Sequence, residues 1–204
     1  GITGMMPMLK FILTVYGGLF IQLFIVYAII FVLFTRLNPF RFLRKMLPVI
    51  LFAFSTSSSN ATIPLNLETL ERKCGVDEKV ASFTIPLGAT INMSGTAIMQ
   101  GVAVVFVAQA FGIDLSTSAL MTVVITAVTA AIGTAGVPGV GTIMLAMVFE
   151  SVGLPAAGIA MIMGVDRILD MGRTAVNVTG DAVVTMCMAS LTKTLDRNVF
   201  QSRN

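Results

Sequence analysis

Five polar side chains in the segment DRILDMGRTAVNVTGD have the types and spacing to do chemistry: Asp166, Asp170, Arg173, Asn177 and Asp181. At about 100° per residue they fall within roughly 80° of one helical face, along about 22 Å of axis. In water, such a stripe is the solvated face of a helix. Inside a membrane, each charge costs several kcal/mol unless it is paired or faces water, and the stripe is then a functional site by default. Paired aspartates also raise acid–base catalysis. However, Asp170 and Asp181 stand about 16 Å apart along one helix, and Asp166 and Asp170 lie beside an arginine rather than a nucleophile, so an enzyme is not expected.

Composition decides the environment. The 204 residues are 56% hydrophobic and 11% charged, with a mean hydropathy of +0.93, whereas globular domains carry about a quarter charged residues. This is the composition of a polytopic membrane chain. The net charge of +3 comes from basic residues near segment ends and is no sign of nucleic-acid binding. There is no histidine, and Cys74 and Cys187 form no pairing or metal motif, so both read as packing residues. The chain opens without an initiator Met or a basic leader, which suggests that the natural N-terminus lies upstream.

The elements that position the stripe follow from the uncharged runs. Residues 11–35 make one spanning helix, in which Gly17 and Gly18 could allow close packing; Arg36, Arg41, Arg44 and Lys45 then mark the cytoplasmic side. Residues 46–67 are uncharged but interrupted by STSSSNATIP, where hydroxyls and Pro64 argue against a continuous helix. The charged tract 68–79 returns to the same side, so this stretch reads as a re-entrant hairpin, with a kinked spanning helix as the alternative. Residues 80–113 form a long apolar run in which GATINMSGT suggests either local unwinding, with carbonyls free for a cation, or a simple glycine kink. GTAGVPGVGT splits residues 115–149 into a second re-entrant hairpin, entered from outside. The expected division is therefore 1–37 transmembrane helix, 38–76 first re-entrant hairpin, 77–113 broken transmembrane helix, 114–150 second re-entrant hairpin, 151–195 C-terminal transmembrane helix and 196–204 cytoplasmic tail. Hairpin plus helix occurs twice with opposite orientation, Asn92 and Asn177 marking the two helices. This all-α inverted repeat points to alternating-access transport, with a site where the halves meet.

At these motifs the chain resembles the dicarboxylate/amino acid:cation symporter family, which includes glutamate transporters and archaeal aspartate transporters. The serine-rich tip, NMSGT in place of NMDGT, GTAGVPG and LDMGRTAVNVTGD follow the family order across essentially the whole chain. The resemblance implies the C-terminal half of the glutamate-transporter fold, without the N-terminal scaffold helices, and a homotrimer in a cell (inner) membrane when full length.

It also implies site residues. Asp170 would take the substrate ammonium and Arg173 its side-chain carboxylate, as a bidentate guanidinium can. Thr174, Asn177, Ser58, Ser59 and Thr96 would complete the pocket, with Gly136 and Val137 in the closing tip. One sodium would lie among Gly88, Asn92, Asn177 and Asp181, and another among carbonyls of Thr90, Ala131, Ile132 and Thr134, while Asp166 supports Arg173 from one turn away. Ser94 replaces the family's aspartate, which leaves a third sodium site without its carboxylate; weaker or fewer-ion coupling follows. Ser57 and Met171 occupy positions at one of which relatives place a further arginine. The expected function is sodium-coupled import of glutamate or aspartate by an elevator-like movement. The alternatives are a proton-coupled carrier, a C4-dicarboxylate carrier, or a non-transporting assembly partner.

Overall fold

A computed structural model describes residues 2–202, with side chains from Met6 onward. The chain runs through α1 (Ile2–Ile21), one π-helical turn (Gln22–Val26), α2 (Tyr27–Thr35), α3 (Pro39–Thr56), α4 (Ser59–Cys74), α5 (Glu78–Ile91) and α6 (Ser94–Ala110). It continues through α7 (Thr117–Ile132), α8 (Val140–Ser151), α9 (Ala157–Met163), α10 (Asp166–Leu191) and α11 (Arg197–Gln201). Three stretches are long and apolar enough to cross a membrane: Met6–Thr35, Glu78–Ala110 and Asp166–Leu191. Leu33, Phe83, Ile125 and Ile143 lie exposed on the outer faces, as lipid-facing side chains would. The molecule is an all-helical, multi-pass membrane protein.

Helix α10 is the axis. It packs against α1 through α6, and its side chains are buried almost without interruption from Leu169 to Ala189. Small residues make this possible, as in other membrane helix interfaces. A Cβ at Gly172 would lie 2.9 Å from the Tyr16 ring, and one at Gly180 would strike the Tyr27 hydroxyl. The polar stripe therefore lies inside the protein, with Asp170, Arg173, Asn177 and Asp181 all buried.

The other helices break where the backbone has alternatives to helix. Between α3 and α4 the break is only Ser57 and Ser58: Ser57 is left-handed at φ 53°, and the Ser58 hydroxyl caps α4 by accepting from Ala61 N–H. Pro64 does not end the helix but sits within α4. Asn92 and Met93 separate α5 from α6, and residues 133–139 separate α7 from α8. Inside 151–195 the helix is likewise interrupted, at Gly164 and Val165, before α10 begins.

The first span holds a departure from a plain helix. Its inward positions Phe11, Val15, Leu19, Leu23, Tyr27, Phe31 and Thr35 recur every four residues. In an uninterrupted α-helix that stripe would drift by roughly 40° per step. The π turn, in which Tyr27 N–H donates to Gln22 O, takes up about one residue and turns the later positions back by roughly 100°. The span thus keeps one face inward while passing from α6 and α10 onto α10. Gly18 is a close approach, its Cβ position 2.8 Å from Ile98, whereas Gly17 faces open space.

The chain after α10 is folded back instead of hanging free, as far as Ser202; residues 203 and 204 of the expected tail lie outside the described residues. Val76 pairs with Leu195, Asp196 N–H donates to Gly75 O at 2.8 Å, and Arg197 Nη2 donates to Thr35 O at 3.0 Å. Phe200 is buried against Phe31. The Lys45 ammonium donates to Lys73 O at 2.7 Å, Ser202 O at 3.2 Å and Val199 O at 3.4 Å.

Candidate functional site

The charges of the stripe are satisfied from two helices. Arg173 is 1% exposed, and its Nε donates to Asp170 Oδ1 at 2.9 Å. Its Nη2 lies 3.2 Å from Asp166 Oδ1 but is not aligned for a hydrogen bond, and its Nη1 reaches Thr142 Oγ1 at 3.5 Å. Thr142 in turn donates its hydroxyl to Asp166. The support of Arg173 by Asp166 thus spans seven residues, two turns and not one. Gly139 N–H, at the start of α8, donates to Asp170 Oδ2 at 2.9 Å, the place where a helix presents unpaired donors to an anion. Gly141 lets α8 lie this close, because a Cβ there would sit 3.1 Å from the guanidinium carbon.

The two helix pairs meet above these charges. Gly136 O accepts from Ser58 Oγ at 3.0 Å and from Asn60 N–H at 3.1 Å. Ser59, Thr96, Gly136, Val137, Asp170, Arg173, Thr174 and Asn177 line one cavity beneath the contact. Ser58 does not border it; its hydroxyl is spent on Gly136 and the α4 cap. The free volume is about 10 Å³, room for about one water molecule. An amino acid enters only if a wall moves.

A second polar cluster lies farther along α10. The Asn92 side-chain amide donates to Asp181 Oδ1 at 2.8 Å and to Asn177 O at 3.3 Å, so a carboxylate and a carbonyl converge on one point. The Gly88 backbone lies against the same carboxylate, where a Cβ would be 2.6 Å from Oδ1. One buried carboxylate among backbone carbonyls is a hard-oxygen set that fits a small hard cation. Among the described residues no group of three His, Cys, Asp or Glu could hold a softer metal. The other expected cation residues are less well gathered. Ala131 and Ile132 border a cleft with Asn92 and Ser94, but Ala131 O already accepts Thr134 N–H at 3.1 Å. Thr90 is not among the walls of that cleft, and its hydroxyl returns to Leu87 O at 2.7 Å.

The chain matches the sodium:dicarboxylate symporter family model over residues 1–191. It belongs to that family. It is 45% identical over 180 residues to excitatory amino acid transporter 3 of Mus musculus, covering 88% of this chain and 34% of that protein. It is 43% identical to neutral amino acid transporter A of Bos taurus, over 85% of this chain and 33% of that protein. With excitatory amino acid transporter 1 of Rattus norvegicus the identity is 40%, over 94% and 34%. The chain therefore spans about a third of the length of these relatives.

Several residues that build the site are not singled out by residue type in the sequence. Thr142 and Gly141 belong to the glycine-rich GTAGVPGVGT, which signals only a break. Tyr27, whose hydroxyl lies 2.5 Å from Ser94 Oγ, is hidden in a span that is apolar on every face, and nothing in the sequence marks it.

Proposed function

We propose that the chain is the C-terminal part of the transport domain of a symporter that imports acidic amino acids, glutamate or aspartate, with sodium. The observation that carries this reading is the buried Arg173–Asp170 pair facing a cavity under the tips of two helix pairs. A zwitterion with a second carboxylate can exchange that one ion pair for two, its ammonium on Asp170 and its side-chain carboxylate on Arg173, while its α-carboxylate is left to neutral donors of the cavity such as the Asn177 amide and the Ser59 hydroxyl. A neutral amino acid would draw Asp170 to its ammonium and return no side-chain carboxylate to Arg173, which would keep only Asp166. This favours an acidic amino acid over the neutral class in one relative's name. A plain C4-dicarboxylate would offer Asp170 no ammonium.

In this reading α3–α4 and α7–α8 are re-entrant hairpins, one entering from each side. The basic residues Arg36, Arg41, Arg44, Lys45, Lys193 and Arg197 mark the cytoplasmic face. The substrate residues are Ser58, Ser59, Thr96, Gly136, Val137, Asp170, Arg173, Thr174 and Asn177, with Ser58 acting through the tip contact. Sodium is a co-substrate held at Asp181 with Gly88, Asn92 and Asn177, and at a second set formed by Thr90, Ala131, Ile132 and Thr134. Ser94 makes a third sodium weak or absent. The domain moves as an elevator within a homotrimeric scaffold in a cell membrane.

Arg173→Ala should lower aspartate affinity by at least 100-fold, because the substrate's side-chain carboxylate loses its guanidinium and buried Asp170 loses its partner. Binding to purified protein checks this, with the melting temperature as a fold control; unchanged aspartate binding would sink the assignment. The reading of a proton-coupled carrier is favoured by the neutral Ser94, and choline replacement of sodium at constant pH tests it. Uptake that survives choline selects protons.

A further inference from the structure

The α5–α6 break carries both asparagine-linked clusters, and α10 pins it at four points. Asn92 donates to Asp181, Asn177 Nδ2 donates to Met93 Sδ at 3.1 Å and to Thr96 Oγ1 at 3.3 Å, and Gly95 N–H donates to Asn177 Oδ1 at 2.7 Å. All four restrain the break from the α10 side. From the first span, among the described residues, one side-chain hydrogen bond reaches it: Tyr27 OH to Ser94 Oγ, at 2.5 Å. Tyr27 is buried, and its hydroxyl sits over Gly180, where a Cβ would collide both with it and with the Asn92 amide. The tyrosine hydroxyl, the Asn92 amide and the Asp181 carboxylate therefore share one small space on α10. The π turn brings Tyr27 there, since without it the ring would point roughly 100° away.

We propose that Tyr27 is a positioning residue for the cation cage at Asp181: by holding Ser94 it fixes the break and so aims Asn92 at the carboxylate and at Asn177 O. The inference rests on the sodium-symport reading above. At the position where a family carboxylate would attract a cation directly, this chain has a neutral hydroxyl that a second hydroxyl can lock. Among the described residues the phenol makes no hydrogen bond to a carboxylate or carbonyl of the cage; it acts through Ser94 and the Asn92 amide packed beside it. Tyr27→Phe keeps the ring and deletes only the hydroxyl.

The test is a sodium titration of the purified whole protein, read as the sodium-induced rise in melting temperature without substrate and as aspartate binding. Lithium titrations run in parallel. Loss of one such hydrogen bond raises the half-saturating sodium concentration about fivefold in Tyr27→Phe. Aspartate affinity at saturating sodium changes less than twofold, and the sodium-to-lithium preference shifts because the cage geometry is relaxed. Ser94→Ala removes the same bond from the other helix and gives the same shift, so the proposal stays testable if Tyr27→Phe folds poorly. The double variant is no worse than either single one. A Tyr27→Phe titration that superimposes on the parent, even with a lowered melting temperature, makes Tyr27 a packing residue only and overturns the inference. So does a double variant whose shift is the product of the singles. If the parent protein shows no sodium response, the symport reading falls and the inference with it.

Discussion

The two helix pairs that meet at Gly136 are held by different means. The pair α3–α4 turns within two residues, packs on α10 and α5, and is closed at its base by Lys45, Phe200 and the Gly75–Asp196 contact. The pair α7–α8 packs chiefly on α6, turns through residues 133–139 with glycines at 133, 136 and 139, and touches the charged stripe through one backbone N–H and one threonine hydroxyl. Both cover the same cavity. The first is tied down along its length and at its base, while the tip of the second is held over the stripe by a few hydrogen bonds.

Three substitutions break or sharpen that contrast. The largest effect is expected from Gly136→Val, because a Cβ there meets Asn60 Oδ1 at 2.7 Å and the Ala89 carbonyl at 3.1 Å. The second tip could no longer seat on the first, and aspartate affinity should fall at least tenfold while the melting temperature stays within a few degrees. Equal affinity would mean that the tips need not touch.

Next is Phe200→Ala, which removes a buried ring from the base of the first pair and should lower stability by about 3 kcal/mol. The base has its own reporter. Cys74 is buried beside it, and burial pushes its thiol up to about 12, so at pH 7.5 it is protonated, enclosed and slow to alkylate. In a Cys187→Ser background, Phe200→Ala should speed alkylation of Cys74 at least tenfold. An unchanged rate would show that the first pair is fixed by α10 alone.

The smallest effect belongs to Gly139→Ala. Its φ is 81° and the space around it is open, so only backbone strain opposes the methyl group, about 1–2 kcal/mol. A fall in aspartate affinity of less than tenfold, with the same sodium dependence, is the expected result in binding assays.

The sequence made much of this legible because the breaks are written in unusual residues. Serines at 57–59, glycines at 133, 136 and 139, and the stripe from Asp166 to Asp181 stand out against apolar surroundings. What it concealed has a common physical cause: contacts made by ordinary residues at long range. Pro64 looks like the end of a helix, yet the break lies at Ser57, where hydroxyl capping and a left-handed residue supply what the helix end needs. Ser58 looks like a pocket hydroxyl and is engaged with Gly136 instead. The π turn has no residue signature of its own. Only the burial of every fourth residue, in a helix of period 3.6, reveals it. The fold-back of residues 195–202 was hidden because a polar, charged sequence reads as a tail, while Phe200 and Arg197 find partners more than 150 residues away.

That fold-back sets an order of assembly. Two of the carbonyls that Lys45 holds belong to Val199 and Ser202, made 154 and 157 residues after it. The loop they close is about three quarters of the described chain, so this contact is entropically among the last to form. During synthesis the base of the first helix pair therefore stays open, with Lys45 lacking those two partners, until they are made. The base of that wall is complete only once residues 195–202 have been made, so this short stretch acts as a late clasp on the site as well as a structural contact.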